Sequence, residues 1–290
     1  MAVSHYIVAQ HAFSVALPDG DLGINLSSYE PFASNGEGEK LFVLTVDDAF
    51  YPLKKGELIG DFDCGSADFG VYRLDDGTYQ MLICLPKGEC CAILQVNPDF
   101  SEGVIATRGN NINRSFAVNN ALMLMYAFAS AQKDTLLVHA SVIKYGDRGY
   151  LFLGKSGTGK STHSSLWIKY VDGSELLNDD NPVVRIIDGE AWVYGSPWSG
   201  KTPCYKNDGA QIGAFVQIKQ YAENYINREQ FLHAFAILLP SMSTMKWDKR
   251  VYGGVCDAVG RLVNCVRVYT LGCRPDKEAA QVCSNEVTKQ

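Results

Sequence analysis

The sequence predicts a mixed α/β protein in two parts, and three observations carry that prediction. Residues 1 to about 110 are a succession of short β-prone runs punctuated by Gly, Pro, Asp and Asn, with no sustained helical period. Beyond them, apolar runs of helical length alternate with further β-prone runs. At Gly154–Ser161 a glycine-rich octapeptide follows an apolar strand and opens a helix.

In chain order, strands are expected at Tyr6–Ala9, Phe13–Leu17, Lys40–Val46, Phe69–Arg73, Tyr79–Leu85 and Cys91–Val96. The stretches Pro18-Asp-Gly, Asn35-Gly-Glu-Gly and Asp75-Asp-Gly are turn chemistry between them. This gives an N-terminal, mostly antiparallel β module over 1–112. Ser115–Gln132 is apolar, contains neither Gly nor Pro, and reads as a buried helix at the start of a second domain over 113–290. Leu136–Tyr145 and Gly149–Leu153, joined by Gly146-Asp-Arg, read as a hairpin that leads into the glycine-rich loop. Ser161–Tyr170 is the helix after the loop, and Leu176–Leu177 ends a short strand. Val183–Ile187 and Ala191–Tyr194 form a second hairpin around Asp188-Gly189. Helices follow at Arg228–Leu239, Lys249–Val263 and Lys277–Thr288, with a strand at Val266–Leu271.

Composition narrows the function. With 47% hydrophobic residues, 20% charged residues and 290 positions, the chain has material for a sizeable core. A net charge of -6 disfavours non-specific nucleic-acid binding. The N-terminus lacks a basic then apolar leader, and the most apolar stretch, Ala117–Ala131, is too short to span a bilayer. The expectation is a cytoplasmic protein without a membrane partner. Nine cysteines, an odd number with no Cys-x-x-Cys pair, then read as reduced thiols. Homo-oligomerisation is left open.

The octapeptide Gly154-Lys-Ser-Gly-Thr-Gly-Lys-Ser161 fits Gly-x-x-x-x-Gly-Lys-[Ser/Thr] without a mismatch. Glycines let the backbone curl so that several N–H groups converge on phosphate, and the following helix adds its positive end. Gly154, Ser156, Gly157, Thr158, Gly159, Lys160, Ser161 and Thr162 are therefore the candidate nucleotide-binding residues. Lys160 would reach the β- and γ-phosphates of ATP, and Ser161 would place its hydroxyl on Mg²⁺. Asp179-Asp180, 19 residues beyond Lys160, ends a short apolar strand. Two carboxylates there can divide the work of taking a substrate proton and holding the metal. The turn Gly195-Ser-Pro-Trp-Ser-Gly-Lys-Thr202 has two readings. Lys201 contacts phosphate or substrate, or the loop is held by Trp198 packing on the core. Arg250, Arg261, Arg267 and Arg274 are candidate phosphate clamps, with surface ion pairs as the alternative.

The set His139-Ala-Ser, a hairpin, Gly154–Thr162 and Leu177-Asn-Asp-Asp180 resembles the HPr kinase/phosphorylase catalytic domain and its relatives. The loop is also similar to that of phosphoenolpyruvate carboxykinases, and Tyr269–Ala279 resembles the tail of HPr-kinase-like proteins. The resemblance covers roughly residues 135–285. It implies a nucleotide-binding domain of that mixed type, with ATP and Mg²⁺ as cofactors. It implies transfer of the γ-phosphoryl group to a serine-type hydroxyl of a protein, peptide or small molecule. By the same resemblance Asp179 is the base, His139 assists it, and Lys160 and Ser161 are the lysine and serine of the phosphate loop. Asp180 then leans towards Mg²⁺ or a structural partner, because neighbouring side chains on an extended segment point in opposite directions. The Glu-x-Arg-Gly-x-Gly segment of HPr kinases is absent, and the acidic pair continues as Asn181-Pro182, unlike carboxykinases. A metabolite kinase of the parallel P-loop class and a non-catalytic nucleotide sensor are the alternatives.

Overall fold

The computed structural model describes residues 1–20, 22–63, 67–200 and 202–289. The chain is mixed α/β and divides into two compact units, Met1–Ala129 and Ser130–Gln290. The division falls later than the expected 112/113 boundary. The helix α1 (Asn111–Ala129) buries its apolar residues on the first unit's own sheet and stays with that unit.

The first unit is one sheet with α1 on one face. Its strands are β1 (Ala2–Val8), β2 (His11–Leu17), β3 (Lys40–Val46), β4 (Glu57–Asp63), β5 (Asp68–Arg73), β6 (Tyr79–Cys84), β7 (Cys90–Val96) and β8 (Glu102–Thr107). They lie in the order β1-β2-β3-β8-β7-β6-β5-β4. The module is mostly antiparallel, as expected, with β3 parallel to both β2 and β8. Short turns make the antiparallel hairpins β1–β2 and β4 to β8, while long connections bring β3 in between them. Alternation puts Val71, Met81, Leu94 and Ile105 in one buried cross-strand row. α1 packs on β3, β6, β7 and β8, and Tyr126 stacks edge-on against Phe13 at 6.1 Å. The approach is close at Gly103, where a Cβ would come within 2.8 Å of Met125 Sδ. A side chain there would force the Met125 thioether to shift.

The thiol expectation is also corrected. Cys84 and Cys90 are joined by a disulfide across the β6–β7 hairpin. Their register places them opposite one another, a relation that sequence spacing alone does not reveal. Cys64 lies outside the described residues. Among the described residues no helix is long and apolar enough to cross a membrane.

The second unit is built on β9 (Thr135–Leu137), β10 (Ala140–Tyr145), β11 (Arg148–Leu153), β12 (Ser174–Asp180), β13 (Val183–Ile187), β14 (Glu190–Tyr194), β15 (Gly209–Gln220), β16 (Tyr225–Arg228) and β17 (Arg267–Cys273). Its helices are α2 (Lys160–Tyr170), α3 (Phe231–Leu238), α4 (Lys249–Cys265) and α5 (Lys277–Val287). Strand order runs β12-β10-β11-β15-β14-β13-β9. β15 is long enough to pair with β14 near its start and with β17 further on, while β11 occupies its other edge. β10 and β11 form the expected antiparallel hairpin. β11 thus has one antiparallel and one parallel neighbour, unlike the P-loop strand of a doubly wound parallel sheet. α2 and α5 cover one face over Phe152, Trp167, Tyr269 and Cys283. α4 begins at an Asp248 cap that accepts from the Val251 N–H at 2.9 Å.

Candidate functional site

The glycine-rich loop leaves the end of β11 and enters α2 directly. Gly154, Gly157 and Gly159 have φ of 151°, 80° and 107°. A side chain would be strained at each position, and at Gly154 a Cβ would also run into Thr158 Oγ1. Thr158 closes the turn, with both its N–H and its hydroxyl donating to Lys155 O, at 3.1 and 2.8 Å. Gly159 is the N-cap of α2, and no side chain caps that end. The first-turn N–H groups and the helix's positive end are therefore free to meet an anion.

Lys160 is buried, 8% exposed, and folds back over the loop. Its Nζ donates to Gly154 O at 3.0 Å and lies 2.6 Å from His139 Nε2. Burial pushes the Lys160 pKa down, opposed by the charges of Asp180 and, less, Asp179. The His139 pKa is lowered by burial first and by the Lys160 charge second, with Asp180 opposing. A neutral imidazole whose Nε2 accepts from the ammonium satisfies both groups. His139 is aimed from its backbone: its N–H donates to Ser241 O at 2.8 Å, and Val138 bridges to Met242.

The acidic pair arrives from β12. β12 pairs with β10, which separates it from β11, the strand that leads into the glycine-rich loop. Leu153 and Asp180 both lie opposite Ala140, so the two strands still end at one rim. His139 Nε2 is 3.9 Å from Asp180 Oδ1, whereas the expectation coupled His139 to Asp179. Asp180 has a φ of 149°, unusual for a residue with a side chain, and accepts from Asn181 Nδ2 at 2.8 Å. A third of its side chain, 35%, reaches solvent, yet loss of water raises its pKa. His139 and Lys160 pull it down and Asp179 adds to the rise. Asp179 is 3% exposed and pairs in register with Ser141, whose hydroxyl meets Ser164 of α2 at 2.6 Å. Register partners share a face, so Asp179 stands on the α2 side of the sheet.

Asn178, between the apolar strand and the acidic pair, holds the neighbouring 195–200 loop. Its side-chain nitrogen donates to Ser196 Oγ at 3.2 Å and to Trp198 O at 3.4 Å. Ser196 Oγ donates to Asn181 O at 2.6 Å. These bonds fold the 195–200 loop against the acidic pair, with Trp198 buried as the packing alternative expected. Lys201 lies outside the described residues. Arg261, Arg267 and Arg274 are engaged elsewhere: Arg261 with Asp134, Arg267 with the carbonyls of Val287 and Lys289, Arg274 with Asp276 and Glu278. Ser156, Ser161 and Thr162 are exposed along the loop and first turn. No cluster of three or more His, Cys, Asp or Glu residues suited to a metal exists among the described residues.

His163, one turn into α2, supplies a pH prediction. Trp167 Nε1 donates to its Nε2 at 3.1 Å, which leaves the proton on Nδ1, buried and without a partner. Burial lowers its pKa to about 4. The unfolded chain protonates this ring near its ordinary 6.5 while the folded chain resists. Stability is therefore fully present above pH 6.5 and is lost as pH falls towards 4, by roughly 3 kcal/mol from this group. Urea unfolding followed by tryptophan fluorescence at pH 7 and 4.5 checks this. His163→Gln, which cannot titrate, should lose roughly 2–3 kcal/mol less than the parent over that interval.

No protein-family model matches this chain, and no curated protein matches it. Among solved structures, the Hpr(Ser) kinase/phosphatase from Coxiella burnetii is similar over 51% of this chain and 94% of that one, with 12% identity and a TM-score of 0.30. A likeness at that level carries no weight for chemistry.

Proposed function

We propose that the second unit binds ATP with Mg²⁺ and transfers the γ-phosphoryl group to a hydroxyl of a protein, peptide or small molecule. One observation carries the reading: a P-loop whose lysine is drawn, against a desolvation cost, to a rim that also holds His139 and an accessible carboxylate. A phosphate chain matches the uncapped helix end and restores to Lys160 the charge partner its surroundings only partly provide. The hard oxygen donors of Ser161 and Asp179 would suit Mg²⁺, with phosphate and water expected as its further donors. Bound there, the nucleotide–metal complex supplies the phosphoryl group and neutralises charge as it moves.

The side chains divide as follows in this reading. Lys160 turns from His139 to the phosphates. Asp180, reachable from solvent and with its pKa raised, orients the acceptor hydroxyl and takes its proton. His139 holds that carboxylate. Asp179, buried on the α2 side, serves the metal together with Ser161. The roles of the two acids are thus the reverse of those expected from the sequence, and they rest on exposure and on the 3.9 Å approach of His139. Cytoplasmic residence and the absence of a nucleic-acid partner remain parts of the proposal that rest on composition alone.

Calorimetry of ATP with and without Mg²⁺ tests the reading, followed by transfer from γ-³²P-ATP in a cell extract. Saturable Mg²⁺-dependent binding and a labelled acceptor are the expected results. No ATP binding at any Mg²⁺ concentration defeats it.

A further inference from the structure

The first unit has a cleft that the phosphate site does not use. While Met81, Leu94 and Ile105 are buried in the row that includes α1's neighbours, the opposite face of the same strands carries Tyr72, Leu82 and Ile93. Leu82 and Ile93 are register partners, and Tyr72 pairs with Gln80 one step along. Residues 50–56 cross over this face. They are anchored by Gln80, 3% exposed, whose Nε2 donates to Lys54 O at 2.7 Å and to Gln95 Oε1 at 2.9 Å. Its Oε1 accepts from the Gly56 N–H at 3.1 Å. The anchor has its hydrogen bonds met on both ends, so the strap over the sheet is a fixed wall.

Between strap and sheet lies a space of about 320 Å³. That is the lower end of the range for small-molecule sites. Its floor is Leu82 and Ile93, and Tyr51, 77% exposed, stands at its edge. The disulfide-bonded Cys90 closes one end. Lys54, Lys55 and Arg108 line it, and no acidic residue does among the described residues. Lys55 Nζ lies 4.9 Å over the Tyr72 ring. Arg108 is fixed at its backbone, N–H to Cys91 O at 2.8 Å, while its guanidinium makes no ion pair among the described residues. Lys54 shares its field with exposed Asp76, whose carboxyl is held low chiefly by the Thr78 N–H. In a chain of net charge -6, three cations around an apolar floor select for charge as well as for shape.

We propose that this cleft binds a small amphipathic anion, with an aromatic or aliphatic body on Leu82, Ile93 and Tyr72 and a carboxylate, sulfonate or phosphate held by Arg108 and the two lysines. The proposal is independent of the phosphoryl-transfer reading. 8-Anilinonaphthalene-1-sulfonate, an aromatic body with one fixed negative charge, is the probe. Titrated into the full-length protein, it should bind at one equivalent, more weakly at high salt. The uncharged N-phenyl-1-naphthylamine should bind at least about tenfold less tightly. Arg108→Ala and Lys55→Ala should each weaken the probe at least about tenfold, and Ile93→Trp, which fills the floor, should abolish binding. Thermal melts confirm that each variant is folded, and the two surface variants carry the test if Ile93→Trp is not. Lys160→Ala in the phosphate loop and Leu232→Gln on exposed α3 should leave binding unchanged. Equal affinity for the uncharged analogue, binding untouched by the cleft variants, loss of binding in either control, or tighter binding of an acidic peptide than of the probe each overturns the proposal.

Discussion

Lys160→Ala is expected to lose phosphoryl transfer by roughly two to three orders of magnitude, the scale of removing one preorganised charge from a transferring group, while the fold stays at least as stable as the parent. The two halves of that result come from one feature of its environment. The ammonium is buried, and despite Gly154 O, His139 and two nearby carboxylates its pKa is lowered. Taken together, the surroundings disfavour the charged form. A lysine kept for the fold would show the opposite sign. Alanine removes the desolvation cost and leaves the loop to its glycines and to the Thr158 turn. Turnover on the identified acceptor and a thermal melt, run side by side, decide it. A variant that melts well below the parent would mean that Lys160 braces the loop and is not reserved for phosphate.

The second large effect separates the two acids. Asp180→Asn should bind ATP–Mg²⁺ nearly as the parent does and lose transfer by roughly two to four orders of magnitude, the usual scale of general-base catalysis. Asp179→Asn should raise the Mg²⁺ concentration needed for half-maximal turnover, and excess Mg²⁺ should recover part of its activity. The physical distinction is access: an acceptor hydroxyl can reach a carboxylate with 35% of its side chain open, but not one that is 3% exposed beneath α2. Titrating Mg²⁺ against turnover for both variants settles the assignment. If Asp179→Asn loses the chemical step at all Mg²⁺ concentrations while Asp180→Asn is rescued, the roles revert to those expected from the sequence.

What could be read from the sequence was what a contiguous stretch encodes. The glycine-rich loop was legible because eight consecutive residues carry the turn, the charge and the helix start together. α4 was legible because its apolar periodicity matches the face it buries, and α1 because it is a long apolar run without Gly or Pro. β15 was not identified, although it is the strand on which the second sheet turns. Gly209-Ala-Gln-Ile-Gly-Ala-Phe-Val-Gln-Ile-Lys-Gln220 has two glycines and no sustained β-branched run, and it becomes a strand through β11, β14 and β17 at its edges. β4 and β8 were passed over for the same reason, each with a glycine among acidic or small residues. The site followed the same division. Lys160 and the acidic pair could be proposed singly, but the meeting of His139 with Lys160 and Asp180 depends on three strand ends reaching one rim. The Cys84–Cys90 link needed the hairpin register.

The position of β15 also has a kinetic consequence. The hairpin β10–β11 closes between near neighbours, but β11 acquires its second partner only when Arg148 meets Gln211. The end of β15 then reaches the loop itself, Gln220 Nε2 donating to Gly157 O at 3.4 Å. Closing that long segment costs chain entropy before any contact repays it, so this step belongs late in folding. During synthesis the octapeptide is complete well before Gln220 has been added. A nascent chain stalled ahead of residue 209 would carry the whole loop sequence and yet hold it on a strand with one edge bare. Anion affinity acquired only on release of the later residues would therefore serve as a clock for sheet closure.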